Sequence, residues 1–225
     1  MQAMGVSLSW KAEWNDWQVA WQKGSSHMRK DYENWSPLSV AETACLFTSI
    51  PVSWGIAGGW ALDLHIGKQI RDHADIDIVT AQQDLPALYS HLSQDWLLYK
   101  AAGGKLEIWR EGDSLEAINN IWASRNPEAP FRFQILVVEF EGGEWLYKRN
   151  KEIKSRNIML NNKQGIPYLR PEIQLLYKGG SSQLRQKDSW DFQTVFPFLT
   201  AAEKDWLAAA LIKQFPDGHP WVDFI

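Results

Sequence analysis

The sequence predicts an α+β fold, in which a mixed sheet with flanking helices precedes a C-terminal helical domain. Strand-like runs bounded by glycine pairs alternate with helical patterns over the first two thirds of the chain. From residue 171 onward, only helical patterns remain. We therefore expect one domain over 1–168, a helical domain over 169–225 and a ligand cleft between the two.

Two capping boxes mark the starts of helices. Ser39 precedes an apolar run with Glu42 three residues later, and Thr200 is followed in the same way by Glu203. Hydrophobic periodicity and turn residues predict the remaining elements. In chain order we expect helices over 8–23 and 39–48, a strand over 54–57, a helix over 60–66, a strand over 73–79, a helix over 85–92, a hairpin of 97–100 with 105–109, strands over 131–140 and 144–147, and helices over 171–178, 187–198 and 201–214.

The helix expected over 8–23 carries tryptophans on one face, because they recur at i, i+4, i+7 and i+11. Two interpretations stay open for this row. It packs the helix onto the main body, or it forms an aromatic wall for a sugar or a base. The residues are Trp10, Trp14, Trp17 and Trp21.

Composition and charge exclude several classes of protein. The chain has 225 residues, a net charge of −4 and a pI of about 5.7, which argues against a long nucleic-acid footprint. Cys45 is the only cysteine, so neither an internal disulfide nor a cysteine-based zinc site can form. No run approaches the roughly 18 apolar residues of a membrane span, and Met1–Trp10 lacks the pattern of a signal peptide. We therefore expect a cytoplasmic protein with no membrane partner.

Two carboxylates, Asp75 and Asp77, are separated by one residue in a strand-like run that ends in Ile78 and Val79. Side chains alternate along a strand, so both carboxylates lie on one face, roughly 7 Å apart. Like charges at that distance repel each other, and a cation between them removes the repulsion. Mg²⁺ prefers oxygen ligands and usually binds through one or two carboxylates plus substrate phosphates. The pattern therefore predicts a metal site for phosphate chemistry, with a charged pair on a solvated strand end as the alternative.

Gly58 and Gly59 stand between a short apolar run and a helical pattern that Gly67 ends. A strand, a glycine turn and a helix start bring backbone N–H groups close to an anion. We therefore expect the triphosphate of a nucleotide at this turn, beside a metal at Asp75 and Asp77.

Two cations are candidates for binding phosphate. Arg71 precedes the carboxylates and could reach a triphosphate, although a surface salt bridge explains it equally well. Lys178 ends a helical pattern, where it either favours the helix C-terminus or faces the cleft and binds phosphate. Asp188 and Asp191 share a later helix, and either hold an amine-bearing substrate or are ordinary surface charges. We take Arg71 and Lys178 as the nucleotide-binding candidates.

The segment from Gly58 to Ile78 resembles the signature of the nucleotidyltransferase superfamily that shares the DNA polymerase β-like fold. More narrowly, the segment is similar to the aminoglycoside adenylyltransferase-like branch. The end of the chain is also similar to that branch, and the similarity runs from about Trp35 to the C-terminus. The motifs that carry it are Ala57-Gly58-Gly59-Trp60-Ala61-Leu62-Asp63, Arg71-Asp72-His73-Ala74-Asp75-Ile76-Asp77-Ile78, the stretch 165–178, Lys187-Asp188 with Asp191-Phe192, and His219-Pro220-Trp221.

The resemblance implies a nucleotidyltransferase-type mixed sheet and a Mg²⁺ cofactor, with ATP or another NTP as co-substrate. It implies that Asp75 and Asp77 are catalytic residues that hold the metal. Gln134 stands where the superfamily has a third carboxylate, and its amide oxygen is a weaker metal ligand that cannot act as a general base. Either Glu139 or another acid takes the role of the base, or the attacking hydroxyl needs little help, or the enzyme is weak or inactive.

Three hypotheses about function follow. The first is Mg²⁺-dependent transfer of NMP from an NTP to a hydroxyl of a small acceptor, for which the resemblance suggests an aminoglycoside-like compound. The second changes the acceptor to an RNA end or a protein hydroxyl, although the low pI argues against RNA. The third is a catalytically degenerate nucleotide-binding protein, which Gln134 would mark.

Overall fold

The structure is a computed structural model that describes residues 28–116, 118–181 and 183–225. The helix expected over 8–23, with its row of tryptophans, lies outside the described residues. Among the residues described, no helix is both long enough and apolar enough to cross a membrane.

A mixed sheet of ten strands forms the centre of the described part of the chain. The strand order is β4-β3-β5-β6-β2-β1-β10-β9, with β7 paired to β6 and β8 paired to β7. Two pairs are parallel, β2 with β6 and β1 with β10, and the other pairs are antiparallel. The strands are β1 Trp54–Ala57, β2 Asp77–Ala81, β3 Leu97–Ala102, β4 Lys105–Ile108, β5 Asn120–Ser124, β6 Phe131–Glu141, β7 Glu144–Leu146, β8 Lys154–Ser155, β9 Met159–Asn161 and β10 Pro167–Leu169.

Helices flank this sheet and follow it. The helices are α1 Val40–Thr48, α2 Gly58–Ile66, α3 Leu85–Leu92, α4 Pro171–Gly179, α5 Gln186–Val195 and α6 Ala201–Gln214, with short 3₁₀ turns at Gln82–Asp84, Phe196–Phe198 and Val222–Phe224. Both predicted capping boxes form, at the starts of α1 and α6. The predicted α+β class is confirmed.

The two faces of the sheet serve different purposes. Ile78 of β2 and Ile135 of β6 are fully buried in the main core, together with Phe47 of α1. Side chains alternate along a strand, so Asp77 and Gln134 project from the opposite face. The core thus fixes the two strands from one side and presents polar residues on the other.

The strand expected over 73–79 is shorter than predicted, because β2 begins only at Asp77. The preceding residues are held by side chains rather than by a complete strand ladder: His73 bonds to Asp63, and the indole N–H of Trp60 donates to the carbonyl of Asp75. The last ladder-like bond runs from the Gln134 N–H to the Ile76 carbonyl, at 2.9 Å. Asp75 therefore lies just before the strand and is exposed.

The change from sheet to helices occurs close to the expected boundary, since β10 ends at Leu169 and α4 begins at Pro171. Helix α4 packs against α2, α5 and α6, so it contacts elements from both sides of that boundary. The division into two domains at 168/169 stays a prediction. The helix expected over 187–198 ends as α5 at Val195, and a 3₁₀ turn containing Pro197 completes it.

Candidate active site

The turn between β1 and α2 is shaped by Gly58, whose φ is +66°. A side chain at this position would overlap the carboxylate of Asp77, so the glycine permits both the backbone conformation and the close approach. The Gly58 N–H donates to Oε1 of Gln174 in α4 at 2.7 Å, within the buried interior. The amide of Gly58 is therefore occupied by the protein itself, and its role is to shape the turn.

Gly59 lies against the residues that lead into β2. A side chain here would overlap the ring of His73 and come within 2.9 Å of Nη2 of Arg71. His73 Nε2 lies 2.7 Å from Oδ2 of Asp63, with both side chains buried, and the ring of Trp60 packs on His73 with centroids 4.6 Å apart. The hydrogen bond between His73 and Asp63 and the packing of Trp60 on His73 hold the loop before Asp75 in place.

Asp77 has an electrostatic environment unlike that of a surface carboxylate. Burial, followed by the negative charge of Asp75, raises the pKa of Asp77 to about 7, and the positive charge of Lys178 opposes that rise. Oδ1 of Asp77 is buried and has no hydrogen-bond partner among the described residues. A cation bound at this oxygen would supply the missing partner and remove the repulsion with Asp75.

The donor set at this point fits Mg²⁺. Asp75 and Asp77 would supply carboxylate oxygens, and Gln134, in register beside Asp77, would supply an amide oxygen. Within the described residues, no group of three or more His, Cys, Asp or Glu side chains is placed to hold a metal ion. A site of two carboxylates and one amide suits a hard cation that takes its remaining ligands from substrate phosphates and water.

Glu139 does not lie with the two aspartates. It is five residues beyond Gln134 on β6, roughly 17 Å at the rise of a strand. Its carboxylate accepts from Nζ of Lys151 at 2.6 Å, and it lines an open cavity of about 580 Å³ that also contacts Gln82. The structure thus places Glu139 at the opposite end of the β2–β6 pair from Asp77.

Arg71 and Lys178, the two cations expected to bind nucleotide, meet at one carboxylate. Arg71 donates from Nε and Nη2 to the two oxygens of Asp191, at 2.8 and 3.0 Å, and Nζ of Lys178 lies 2.7 Å from the same group. Asp188 lies 3.6 Å from Lys178 and accepts two bonds from Arg185. Asp188 and Asp191 are both buried ion-pair partners, so neither is an ordinary surface charge.

The sequence does not indicate Gln174 as a site residue, and it indicates Asp191 only as a contact for an amine-bearing substrate or as a surface charge. Gln174 and Asp191 act on residues more than a hundred positions earlier, Gly58 and Arg71. Gln174 lies one helical turn before Lys178 on α4, so the two share a face. That spacing, in a helix with an otherwise buried apolar face, is the signal in the sequence that could have indicated Gln174.

Residues 39–194 match the family model described as Aminoglycoside-2''-adenylyltransferase, which is more than half of the chain. The chain belongs to this family. The matched segment includes the glycine turn, both aspartates, Lys178 and Asp191. The predicted resemblance is confirmed, and with it the assignment of the chain as a nucleotidyltransferase.

Three solved structures share the fold of this chain. Lincosamide antibiotic adenylyltransferase LnuA, in a lincomycin-bound crystal structure, has a TM-score of 0.51 at 22% identity, covering 74% of this chain and 99% of that one. ANT(2'')-Ia in complex with adenylyl-2''-tobramycin has a TM-score of 0.51 at 11% identity, covering 76% and 94%. A solution structure of ANT(2'')-Ia gives 0.52 at 12% identity, covering 79% and 92%. These likenesses confirm the nucleotidyltransferase-type fold. Among curated protein sequences, none matches the chain significantly.

Proposed function

We propose that the protein transfers the nucleoside monophosphate of an NTP, with ATP as the first candidate, to a hydroxyl of a small antibiotic-like acceptor in a Mg²⁺-dependent reaction. The observation that carries this proposal is the contact between the Gly58 turn and the Asp77 carboxylate, whose Oδ1 lacks a hydrogen-bond partner among the described residues. A glycine turn at the start of a helix and a carboxylate suited to a cation thus touch each other. Nucleotidyl transfer needs these two features side by side.

Five site residues have a defined part in this proposal. Asp75, Asp77 and Gln134 would hold Mg²⁺, which when bound neutralises charge on the α-phosphate. Arg71, which lies against Gly59, and Lys178 bind the remaining phosphates. Pyrophosphate then leaves toward these two positive charges.

The proposal does not require a third carboxylate. Gln134 occupies that position, and Glu139 lies at the other end of its strand. In phosphoryl transfer the protein contributes mainly by positioning the reactants and by stabilising charge. An acceptor hydroxyl held in line with the α-phosphate can therefore react with little assistance from a base, at a rate that the choice of acceptor decides.

The acceptor class is drawn from the family and from the structural relatives. The family is described as aminoglycoside-2''-adenylyltransferases, and LnuA is a lincosamide adenylyltransferase. We propose an aminoglycoside-class acceptor, with a lincosamide as the second candidate. The net charge of −4 suits a cationic compound, and the NTP requirement suits a reaction in the cytoplasm.

The test is a mass-spectrometric screen of the purified protein with each NTP, Mg²⁺ and a panel of aminoglycosides and lincosamides. The expected result is an acceptor whose mass increases by one NMP, with release of pyrophosphate. The increase should disappear without Mg²⁺ and in Asp75→Asn and Asp77→Asn. Transfer that persists in both variants would exclude the assigned site.

Two further measurements distinguish the other two hypotheses. If label from an NTP enters RNA or protein and does not enter any of the small acceptors, the result favours a macromolecular acceptor. A Mg²⁺-dependent rise in melting temperature with NTP, but no transfer to any acceptor, would favour a degenerate nucleotide-binding protein.

A further inference from the structure

One buried carboxylate, that of Asp191 in α5, joins the two cations assigned to the nucleotide. It is fully buried, and its two oxygens accept bonds from Arg71 on the loop before β2 and from Lys178 at the end of α4. Burial alone would raise the pKa of Asp191, but the hydrogen bond from Arg71 and the charge of Lys178 outweigh it and lower that pKa. The carboxylate is therefore ionised and forms ion pairs with both Arg71 and Lys178.

We propose that Asp191 is a positioning residue, which holds Arg71 and Lys178 together as one preformed site for the phosphates of the NTP. The inference rests on the proposed function, because it assigns the partner of a site within that function. Two cations brought together without a carboxylate between them would repel each other. Asp191 removes that repulsion while leaving donors of both side chains for another anion.

The hydrogen bonds of Arg71 support this role. A guanidinium has five N–H donors. Asp191 takes one from Nε and one from Nη2, and the carbonyl of Asp72 takes one from Nη1 at 2.9 Å. Two N–H donors remain beyond these three bonds, one of them on Nη2, the atom that lies against Gly59. Asp191 thus fixes the Arg71 guanidinium through Nε and Nη2, and Nη2 also lies against Gly59 in the glycine turn.

Lys178 is oriented by the same network. Its helix, α4, is anchored to the turn by Gln174, which accepts the N–H of Gly58. Nζ of Lys178 lies 2.7 Å from Asp191, so one helix carries both this cation and the residue that fixes the Gly58 turn.

Asp188 offers a matched control for Asp191. It lies on the same helix, is equally buried and accepts two hydrogen bonds from an arginine, but that arginine is Arg185. Asp188 makes no hydrogen bond to Arg71, and its distance to Lys178 is 3.6 Å against 2.7 Å for Asp191. Asp188→Asn thus removes a buried carboxylate of the same kind without releasing Arg71.

The experiment compares Asp191→Asn, Asp188→Asn and wild type by steady-state kinetics with varied NTP and by calorimetry with inorganic tripolyphosphate. Positioning predicts that Asp191→Asn raises KM for the NTP and weakens tripolyphosphate binding by roughly 10-fold to 100-fold, the range typical of residues that orient a ligand-binding side chain. The kcat changes far less, since the lost contact acts on bound substrate and transition state alike. Asp188→Asn leaves the bonds of Arg71 to Asp191 intact, so it should change the KM for the NTP and the tripolyphosphate affinity by a smaller factor than Asp191→Asn does.

The sign of the tripolyphosphate result decides the inference. If Asp191 contributed only its negative charge, its removal would make the site more positive and tripolyphosphate would bind more tightly. Tighter or unchanged binding by a folded Asp191→Asn would overturn the proposal. A wild type that transfers no nucleotide and binds no NTP would instead overturn the proposed function, so the two failures are distinguishable.

A second variant covers the case in which Asp191→Asn does not fold. Arg71→Lys keeps the positive charge on a partly exposed side chain, but a lysine cannot form the bidentate hydrogen bonds with Asp191. The proposal predicts that it raises KM for the NTP by about 10-fold, with little change in kcat. A KM equal to that of the wild type would contradict it.

Discussion

Asp77 and Gln134 lie side by side on the parallel strands β2 and β6, with their Cα positions in register. An amide thus lies next to the half-buried Asp77, at the position where the resemblance to the superfamily predicts a third carboxylate. This arrangement limits the negative charge at the site when no cation is bound, because Asp75 and Asp77 already repel each other.

The first prediction concerns Gln134→Asp. A third carboxylate should lower the stability of the Mg²⁺-free protein, on the order of 1–3 kcal/mol at the effective dielectric of a partly buried site. It should also enlarge the rise in melting temperature that Mg²⁺ produces, because the cation then neutralises three charges. Thermal unfolding with and without Mg²⁺ measures both effects.

Gln134→Leu is the matched control, since it keeps the bulk of the side chain and removes its oxygen. We expect it to reduce the Mg²⁺-dependent rise in melting temperature without abolishing it. An identical Mg²⁺ response in both variants and in the wild type would mean that residue 134 does not face the bound metal.

The second prediction concerns the glycine turn. Gly58→Ala places a methyl group against the Asp77 carboxylate at a φ of +66°. We expect a loss of roughly 2–5 kcal/mol in the free energy of unfolding, from the left-handed backbone and from the overlap together. Nucleotidyl transfer should fall with it, because the carboxylate must move.

Gly67→Ala provides the comparison, because Gly67 also has a positive φ, +84°, but has open space around its Cα. It ends α2 away from the carboxylates. We expect it to cost about 1–2 kcal/mol of stability and to leave transfer unchanged below its melting temperature. Equal losses of activity in the two variants would show that Gly58 matters only for stability.

The third prediction distinguishes the effect of the turn on NTP binding from its effect on the stability of the protein. Gln174→Met keeps the volume of the side chain but leaves the buried N–H of Gly58 without its acceptor, which costs about 1–3 kcal/mol. Thr80→Val removes a partly buried bond, from Thr80 Oγ1 to the Ser53 carbonyl, farther along β2. We expect similar losses in urea unfolding, and weaker binding of NTP only in Gln174→Met. Equal NTP affinity in both variants would remove Gln174 from the site.

Much of the fold could be predicted because its signals are local. Ser39 with Glu42 and Thr200 with Glu203 place two helix starts within single turns of the chain. The short strands β9 and β10, of three residues each, were not predicted, since three residues carry no periodicity. Their pairing depends on β1, which lies about a hundred residues earlier.

The site residues, too, comprise some with local sequence signals and some without. The Gly58 turn and the aspartates were identifiable because all of them fall within twenty residues of one another in the sequence. The partners of Arg71 were not, because a salt bridge with Asp191 spans 120 positions and leaves no pattern in either segment. Glu139 is one candidate base because Gln134 cannot act as one, yet it lies five positions farther along β6, at the other end of the β2–β6 pair.

The last prediction concerns His219, in the His219-Pro220-Trp221 motif near the end of the chain. Its Nε2 lies 3.0 Å from the carbonyl of Gly179, and its Nδ1 accepts the N–H of Trp221 at 3.2 Å, so the folded protein holds the neutral ring. Burial lowers the pKa of His219 below its ordinary value of about 6.5, against the opposing influence of the Gly179 bond.

The sign of the pH dependence follows from this lowered pKa. Below about pH 6.5 the unfolded chain takes up a proton at His219 that the folded chain does not, so the free energy of unfolding decreases as the pH falls. Above that pH the contribution of His219 is complete. Urea unfolding from pH 5 to pH 8 should show a slope in the wild type of up to about 1.4 kcal/mol per pH unit that His219→Gln lacks. If the variant keeps the whole slope of the wild type, other groups cause it, and the neutral His219 does not contribute to acid sensitivity.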